Sequence, residues 1–388
     1  MRILGYKDID RAEWSGLVAS SATSTWFQSP EAYDFYASQP ELFRPFAIGI
    51  CNLKFETINA QSTLRAVCVG YVTVEKSSLK QFLTRRAIII GGPCLADDCT
   101  DEEVNALMNA VKNLPSFQGE ELCSIEGPVD VHRLKNGVGF QPIYIESRNF
   151  NDYSRWKEAF AKAGFSYVPH LNFHVDTSSV EVVEANLGKS RKRDIRTSLR
   201  DGATIIEKPT LEQVREYYAI LEHLYKTRVK TPLFPFSFFE KLWQHQDGQF
   251  ILVALNNEII GGTVCVVFNR DKFETINHKF EIIVPQGKET TTHPSVVYEW
   301  FVSGRDGEWK SIFPSSLATY AGIKYAAEHG CARFDMMGAG KPDEAYGVRD
   351  FKARFGGKEV EHGRFLCITK PVLYRIGKIG VWLLKKLK

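Results

Sequence analysis

The chain has 388 residues, 44% of them hydrophobic, and its 49 lysines and arginines exceed its 46 aspartates and glutamates by three. A chain of this length and apolar content buries real cores and divides into about two domains, which excludes a disordered or low-complexity protein. So small an excess of charge excludes a polyanion binder that uses its whole surface, and any phosphate site has to be local.

The N-terminal stretch MRILGYKDIDRAEW carries charges where a signal peptide needs an apolar core. No window holds about 18 uninterrupted apolar residues, so the expectation is a protein neither secreted nor membrane-spanning. Eight cysteines lie scattered among apolar neighbours, without a C-x-x-C pair or a Cys/His cluster. That pattern points to buried thiols in a reducing cytosol rather than to structural zinc.

In chain order, FRPFAIGI, LRAVCVGYVTVE and RRAIIIGGPCL read as strands, DEEVNALMNAVKNL as a helix, LCSIEGP as a strand and NDYSRWKEAFAKAG as a helix. Helix signals return at VEVVEANLG, KSRKRDIRTSLRDG, LEQVREYYAILEHLYKTR and PFSFFEKLWQ. QFILVAL and EIIGGTVCVVF flank Asn256-Asn257 as a hairpin. Strands at KFETINHKFEIIV and SVVYEWFVSG, a helix at PSSLATYAGIKYAAEHG and a strand at CARFDMMG follow. The order is α+β and occurs twice, with a boundary expected near Ser178. The expected domains are 1–178 and 179–370, followed by a basic tail, 371–388.

Three stretches could carry chemistry. In FDMMGAGKPDEAYGVRDFKARFGG, a strand ends in a glycine-broken loop, and one or two helical turns place Val348, Phe351 and Phe355 on one face. Arg349 and Lys352 then point toward the space over the strand end, where a fixed lysine could neutralise an oxyanion or a phosphate, unless they form an ordinary solvated face. Asp335, in an apolar strand, is either hydrogen-bonded structure or a buried carboxylate with a raised pKa. In the second stretch, six cations against two aspartates lie between Lys189 and Asp201. There Arg193, Arg196 and Arg200 form a basic stripe opposite Ile195 and Leu199, and arginine forks suit phosphates. The third is the tail PVLYRIGKIGVWLLKKLK, apolar on one arc and basic on the other. It is either an in-plane anchor on an anionic membrane or a cap on the protein's own core. His278 lies on an alternating strand and is a candidate base.

Taken together, these stretches resemble the Fem-type (FemABX) peptidoglycan-bridge aminoacyltransferases and the related BioF2-like acyltransferases, a branch of the GNAT superfamily. The matching pieces are FQSPEAY, RRAIIIGGPCL, KSRKRDIRTSLRDG, PLFPFSFFEKL, NNEIIGGTV, PSSLATYAGIKYAAEHGCARFDMMGAG and GVRDFKARFGG, in family order over nearly the whole chain. The resemblance implies two GNAT-like domains, each a mixed, mostly antiparallel sheet flanked by helices, with an acceptor channel between them. It also implies transfer of an amino acid from aminoacyl-tRNA to a lipid- or nucleotide-linked peptidoglycan precursor, at the inner face of the membrane and without a cofactor. On this reading Lys352 serves the oxyanion or the donor, and Asp335 or His278 orientation or proton transfer. Arg193 and Arg196 meet acceptor phosphates, and Arg191, Tyr36, Arg349 and Tyr320 contact substrate. Two departures stand out. After QSPE the family tends to have a tryptophan and then a lysine where this chain has Ala32 and Tyr36, and the long helical arm of some members has no room between Gly188 and Arg228. An acyl-CoA or acyl-carrier-protein N-acyltransferase acting on an amino sugar or polysaccharide precursor is the alternative. Against it, the pyrophosphate loop R/Q-x-x-G-x-G/A is approached only by RLKNGVG from Arg133, one residue too long. A catalytically silent binder of sugar phosphates is a third reading.

Overall fold

The structure is a computed structural model that describes residues 1–52, 63–75, 82, 84–114, 141–273 and 293–386. Two compact units emerge, Met1–Pro169 with Arg270–His293 and His362–Lys388, and His170–Asn269 with Pro294–Glu361. Each is a mostly antiparallel sheet flanked by helices, the α+β class that the element order predicts.

The first sheet is built from β1 (Arg2–Gly5), β2 (Phe43–Asn52), β3 (Thr63–Thr73), β4 (Arg86–Gly91), β5 (Cys94–Leu95), β6 (Tyr144–Asn149) and β7 (Ser166–Val168). Helices α1 (Arg11–Ser20), α2 (Pro30–Ala37), α3 (Asp101–Lys112) and α4 (Lys157–Lys162) flank it. Strands β3 and β4 pair only at Tyr71/Ile88 and Val72/Ala87. Farther along, the buried side chain of Gln28 bridges them: Nε2 donates to Val69 O (2.9 Å) and Ile90 O (2.8 Å), while Oε1 accepts from Val69 N (2.7 Å). One amide thus replaces the missing ladder bonds, because buried backbone groups left unpaired are costly. Ser29 caps α2 and Pro30 opens it, so the FQSP stretch is a bridge followed by a helix start.

The second sheet takes β8 (Leu171–Asp176), β9 (Thr204–Ile206), β10 (Gly248–Leu255), β11 (Glu258–Phe268), β12 (Val296–Gly304), β13 (Arg333–Gly338) and β14 (Lys358–Glu361). Its helices are α5 (Val180–Asn186), α6 (Lys189–Arg200), α7 (Leu211–Leu224), α8 (Phe236–Gln244), α9 (Pro314–Glu328) and α10 (Gly347–Ala353). The β10–β11 hairpin turns at Asn256 and Asn257, both with positive φ (51° and 67°), as a two-residue turn of this hand requires. On α6 the buried row is Arg191, Asp194, Ile195 and Ser198, whereas Leu199, expected on the buried side, is 42% exposed. The helix is rotated relative to that expectation because Arg191 and Asp194 go inside as a pair.

The division expected at Ser178 falls one strand too late, since β8 pairs with β13 and β14 of the second sheet. The stretch 179–370 is not one unit either. Strand β15 (Arg364–Ile368) returns to the first sheet, between β6 and β7. Both sheets then repeat one plan: three antiparallel steps, one parallel pair and two antiparallel steps. In each, the strand beside the parallel pair comes from the far part of the chain. Sequence pattern alone could not see this, because β15 alternates like any half-buried strand.

The tail forms α11 (Pro371–Lys386). Tyr374 meets Tyr144 edge-on at 5.4 Å, yet Val372, Ile376 and Ile379 are 69%, 49% and 58% exposed. Residues 371–380 contain no buried side chain, so this part of the helix does not cap a core. Among the described residues no helix is long and apolar enough to cross a membrane. The seven described cysteines are free and buried. LCSIEGP and most of KFETINHKFEIIV lie outside the described residues.

Phe365 on β15 stacks on Phe160 at 3.8 Å, inside the first core. Phe365→Ala should therefore cost about 3–5 kcal/mol. Amide exchange should show the loss in β4 and β6 while β11 and β12 keep their protection.

Candidate active site

The parallel pair is where the two sheets differ. In the first, β4 and β6 pair from Arg86/Tyr144 to Gly91/Asn149. In the second, β12 and β13 pair from Val296/Arg333 only as far as Tyr298/Asp335, after which β12 continues to Gly304. Past Asp335, Met337 takes a positive φ of 57°, which is uncommon for a side chain of that kind. The register to β8 slips over the same residues. The end of β13 is therefore released from its parallel neighbour, and its carbonyls need other donors.

Lys352 supplies them. It projects from α10 into the second unit, is 7% exposed, and donates through Nζ to Met336 O and to Gly338 O (2.8 Å). When charged, it spends two of its three N–H donors on the strand end. Burial pushes the ammonium below its ordinary pKa, against the pull of Glu299 and Asp335. Such a lysine can donate to an oxyanion when charged and take up a proton when neutral.

Glu299 was not singled out by sequence reasoning. It lies beside the β12 bulge, 4% exposed, and Oε1 accepts from Thr319 Oγ1 (2.9 Å) and Thr263 Oγ1 (3.4 Å). Burial raises its pKa, opposed by Lys352 and the two threonines. His174 was missed as well. It faces Asp335 across β8 and β13, Nε2 to Oδ2 at 3.1 Å, and Asp335 Oδ1 accepts the Met337 N–H at 2.7 Å. Burial works to raise the Asp335 pKa, but His174, Arg333 and that N–H outweigh it, so the carboxyl lies below its ordinary value. Of the two possibilities for Asp335, the structure chooses the hydrogen-bonded, ionised one. A carboxylate in an apolar strand signals that some partner must exist, but cross-strand register decides which.

The other candidates are placed differently from one another. Arg349 does not reach over the strand end: it donates to Ala339 O (3.2 Å), Pro342 O (3.2 Å) and Lys341 O, and so pins the loop before α10. Phe355 is buried as expected, but Val348, on the same expected face, is 41% exposed. Arg191 is buried, with NH1 on Ser316 Oγ (2.6 Å) and Asp194 Oδ2 (3.3 Å) and its guanidinium over Phe351 (4.4 Å) and Phe355 (4.9 Å). Burial lowers its pKa, although Asp194 pulls the other way. Arg193 and Arg196 remain exposed, Arg193 donating to Asp194 Oδ1 at 3.1 Å. Tyr320 Oη donates to Glu184 Oε1 (3.3 Å), and burial lifts its pKa to about 12. Tyr36, in the first unit, is 1% exposed among Phe35, Phe43 and Tyr71, which makes it a core aromatic. His278 lies outside the described residues.

The FemAB family model matches residues 288–379, a span that carries β12, α9, β13, the loop, Lys352 and β15. By structure the chain is similar to FemX, with 14% identity over 97% of this chain and 99% of that one and a TM-score of 0.59. It is also similar to a tandem GNAT protein from the clavulanic acid biosynthesis pathway, with 9% identity over 95% of this chain and 98% of that one and a TM-score of 0.50. At such identities the structural likeness is one of fold. Comparison with curated proteins by sequence gives no match.

Because the Asp335 pKa is depressed by folding, the carboxylate adds stability above its ordinary pKa of about 3.9, and that stability is lost as pH falls through the folded value. The melting temperature of Asp335→Asn should lie below that of the parent at neutral pH, and the gap should narrow in acid below about pH 4.

Proposed function

Taking the chain as an acyltransferase of the FemAB type on the GNAT fold, we propose that it moves an aminoacyl group from aminoacyl-tRNA to the amine of a peptidoglycan precursor, forming a cell-wall bridge. The observation that carries the proposal is the single buried arrangement at the end of β13: an interrupted parallel ladder with the Lys352 ammonium fixed on its last carbonyls.

In the reaction the acceptor amine, stripped of its proton, attacks the ester carbonyl carbon. A C–N bond forms, the carbonyl oxygen becomes an oxyanion, and the ester C–O bond then breaks. The ribose oxygen leaves with the proton that the attacking nitrogen gives up, and an amide remains. Lys352 holds the oxyanion or the donor with its remaining N–H, in a buried setting where such a bond is stronger than in water. Asp335 works indirectly: with His174 on one side and the Met337 N–H on the other, it fixes the turned strand end on which Lys352 is placed. Exposed Arg193 and Arg196 meet the acceptor phosphates. Arg191, with Ser316 and Asp194, supports the α6–α9 contact and the two phenylalanines behind Lys352. Arg349 keeps the loop in place, and Tyr320 with Glu184 contributes a polar wall. The reaction needs no cofactor, since aminoacyl-tRNA is the co-substrate.

The work takes place in the cytoplasm at the inner face of the membrane, with α11 as the contact. Its uncovered Val372, Ile376 and Ile379 suit the acyl boundary, and Arg375 and Lys378 beside them suit anionic headgroups.

Lys352→Met keeps the bulk and should lower transfer by about a hundredfold or more, with the fold intact by circular dichroism; an active variant removes Lys352 from the mechanism. In a thermal-shift titration, UDP-muramyl-pentapeptide should raise the melting temperature and acetyl-CoA should not. The opposite result would favour the acyl-CoA reading. Truncation at Pro371 should abolish sedimentation with vesicles containing phosphatidylglycerol and leave neutral vesicles unaffected.

A further inference from the structure

The two faces of the first sheet differ in chemistry. Successive side chains of a strand alternate between faces, and Ala87, Ile145 and Phe365 turn into the first core. The register then sets on the other face Arg86 opposite Tyr144, Ile88 opposite both Tyr71 and Glu146, and Arg148 opposite Arg364. Like charges directly opposite one another destabilise a sheet unless something offsets them. Glu146 offsets part of this repulsion: its Oε2 accepts from Arg148 Nε (2.9 Å) and its Oε1 from Arg364 NH1 (2.7 Å). Burial works to raise the Glu146 pKa, but the two arginines outweigh it and bring it to about 2. Burial also holds the Arg364 pKa below its ordinary value, against the pull of Glu146. Arg86 adds a third guanidinium, with NH1 on Tyr144 Oη at 3.4 Å.

Tyr71, on that face, lacks an acceptor. It is 4% exposed, its ring packed against Tyr36 (4.9 Å) and Phe43 (4.6 Å), and its hydroxyl makes no hydrogen bond among the described residues. The hydroxyl of Tyr36 is buried and unpaired among them as well. Folded proteins pair nearly all such groups, so each exception calls for a partner. Burial raises the Tyr71 pKa while Arg148 and Arg86 pull it down, as their places in the adjoining rows imply. The side chains of Arg148 and Arg364 stay 34% and 27% exposed. The cluster is therefore reachable, positive and rich in donors, and its carboxylate is already shared.

We propose that this face of the first sheet binds a phosphate monoester, held by Arg148, Arg86 and the Tyr71 hydroxyl, with Glu146 keeping Arg148 in place. Guanidinium forks match phosphate oxygens, and a phosphate is all acceptor where the cluster is all donor. Three guanidiniums against one carboxylate suit the charge of about −1.5 to −2 that a monoester carries near pH 7, whereas a carboxylate or a diester carries one. The site goes beyond the transferase reading, since neither Lys352 nor the exposed arginines of α6 belong to it. The diphosphate of a nucleotide-linked precursor, esterified at both ends, does not supply a monoester. Two sources offer the group. One is a soluble glycerol or sugar phosphate, and the other is the headgroup of phosphatidic acid, because Tyr374 at the start of α11 packs on Tyr144 at 5.4 Å.

The test is calorimetric titration of the whole chain with glycerol 3-phosphate at constant ionic strength, beside sedimentation with vesicles of matched surface charge that contain phosphatidic acid or phosphatidylglycerol. Arg148→Gln leaves Glu146 and Arg364 as a balanced pair, and Tyr71→Phe keeps the ring, so both should melt near the parent. Each should nevertheless bind the monoester about tenfold or more weakly. If Arg148→Gln does not fold, Arg86→Gln at its exposed position takes its place. Binding of glycerol 3-phosphate with no preference between the vesicles assigns the site to a soluble ester. A preference for phosphatidic acid that Arg148→Gln removes assigns it to the headgroup. Absence of both, or binding that none of the variants weakens, overturns the site. Lys352→Met should bind the monoester as the parent does, so this inference and the transferase reading fail separately.

Discussion

The structure around the candidate site depends on a ladder that stops early. Strands β12 and β13 are parallel neighbours for three residue pairs and then separate, and Met337 turns the released strand end through a positive φ. Carbonyl oxygens that a continuing strand would have satisfied are left facing inward, and a buried acceptor without a donor costs about 1–3 kcal/mol. Lys352 meets that demand, and in doing so it is carried into the second unit and held there. A similar split in the first sheet, between β3 and β4, is closed by a neutral amide, Gln28. The contrast matters: a glutamine closes a gap without charge, whereas a lysine closes one and brings an ionisable group into the interior.

Once a lysine is buried, the groups around it are constrained. Burial disfavours its charged form, and the same burial disfavours the charged form of Glu299, so each depends on the other for whatever charge it keeps. Asp335 escapes this because His174 and the Met337 amide are built against it. Arg191 follows a related pattern on the helix side. It is desolvated, yet it has Asp194, Ser316 and two aromatic faces. The unit thus buries several ionisable groups, each given partners by a different element, and so the elements that supply those partners have to be in place before the site exists.

Much of this was legible along the chain, and the exceptions are instructive. Lys352 could be read as a fixed cation over a strand end because the glycine-rich loop and the Phe351/Phe355 spacing set the local geometry. The Asn256-Asn257 turn and the stop at Gly356, φ 78°, follow from backbone demands that few residue types meet. Arg349 and Tyr36 were read less well. Three acceptors within one short loop capture Arg349, and Tyr36 disappears into an aromatic cluster assembled from α2, β2 and β3. The buried row of α6 also differs from the expected one, because a charged residue paired inside outranks a leucine that has no room there.

By itself the sequence determined the element order, the mixed sheet class, the turn positions and the candidate lysine, because each of these follows from periodicity or from a residue type with few allowed conformations. Only the tertiary structure decided that β8 and β15 complete sheets remote from their own sequence neighbours, that His174 and Glu299 join Asp335 and Lys352, and that the parallel ladder opens in the second sheet and not in the first. Strand pairing is a contact between distant residues with no signature at either end, and a pKa is set by whatever those contacts bring within a few ångströms.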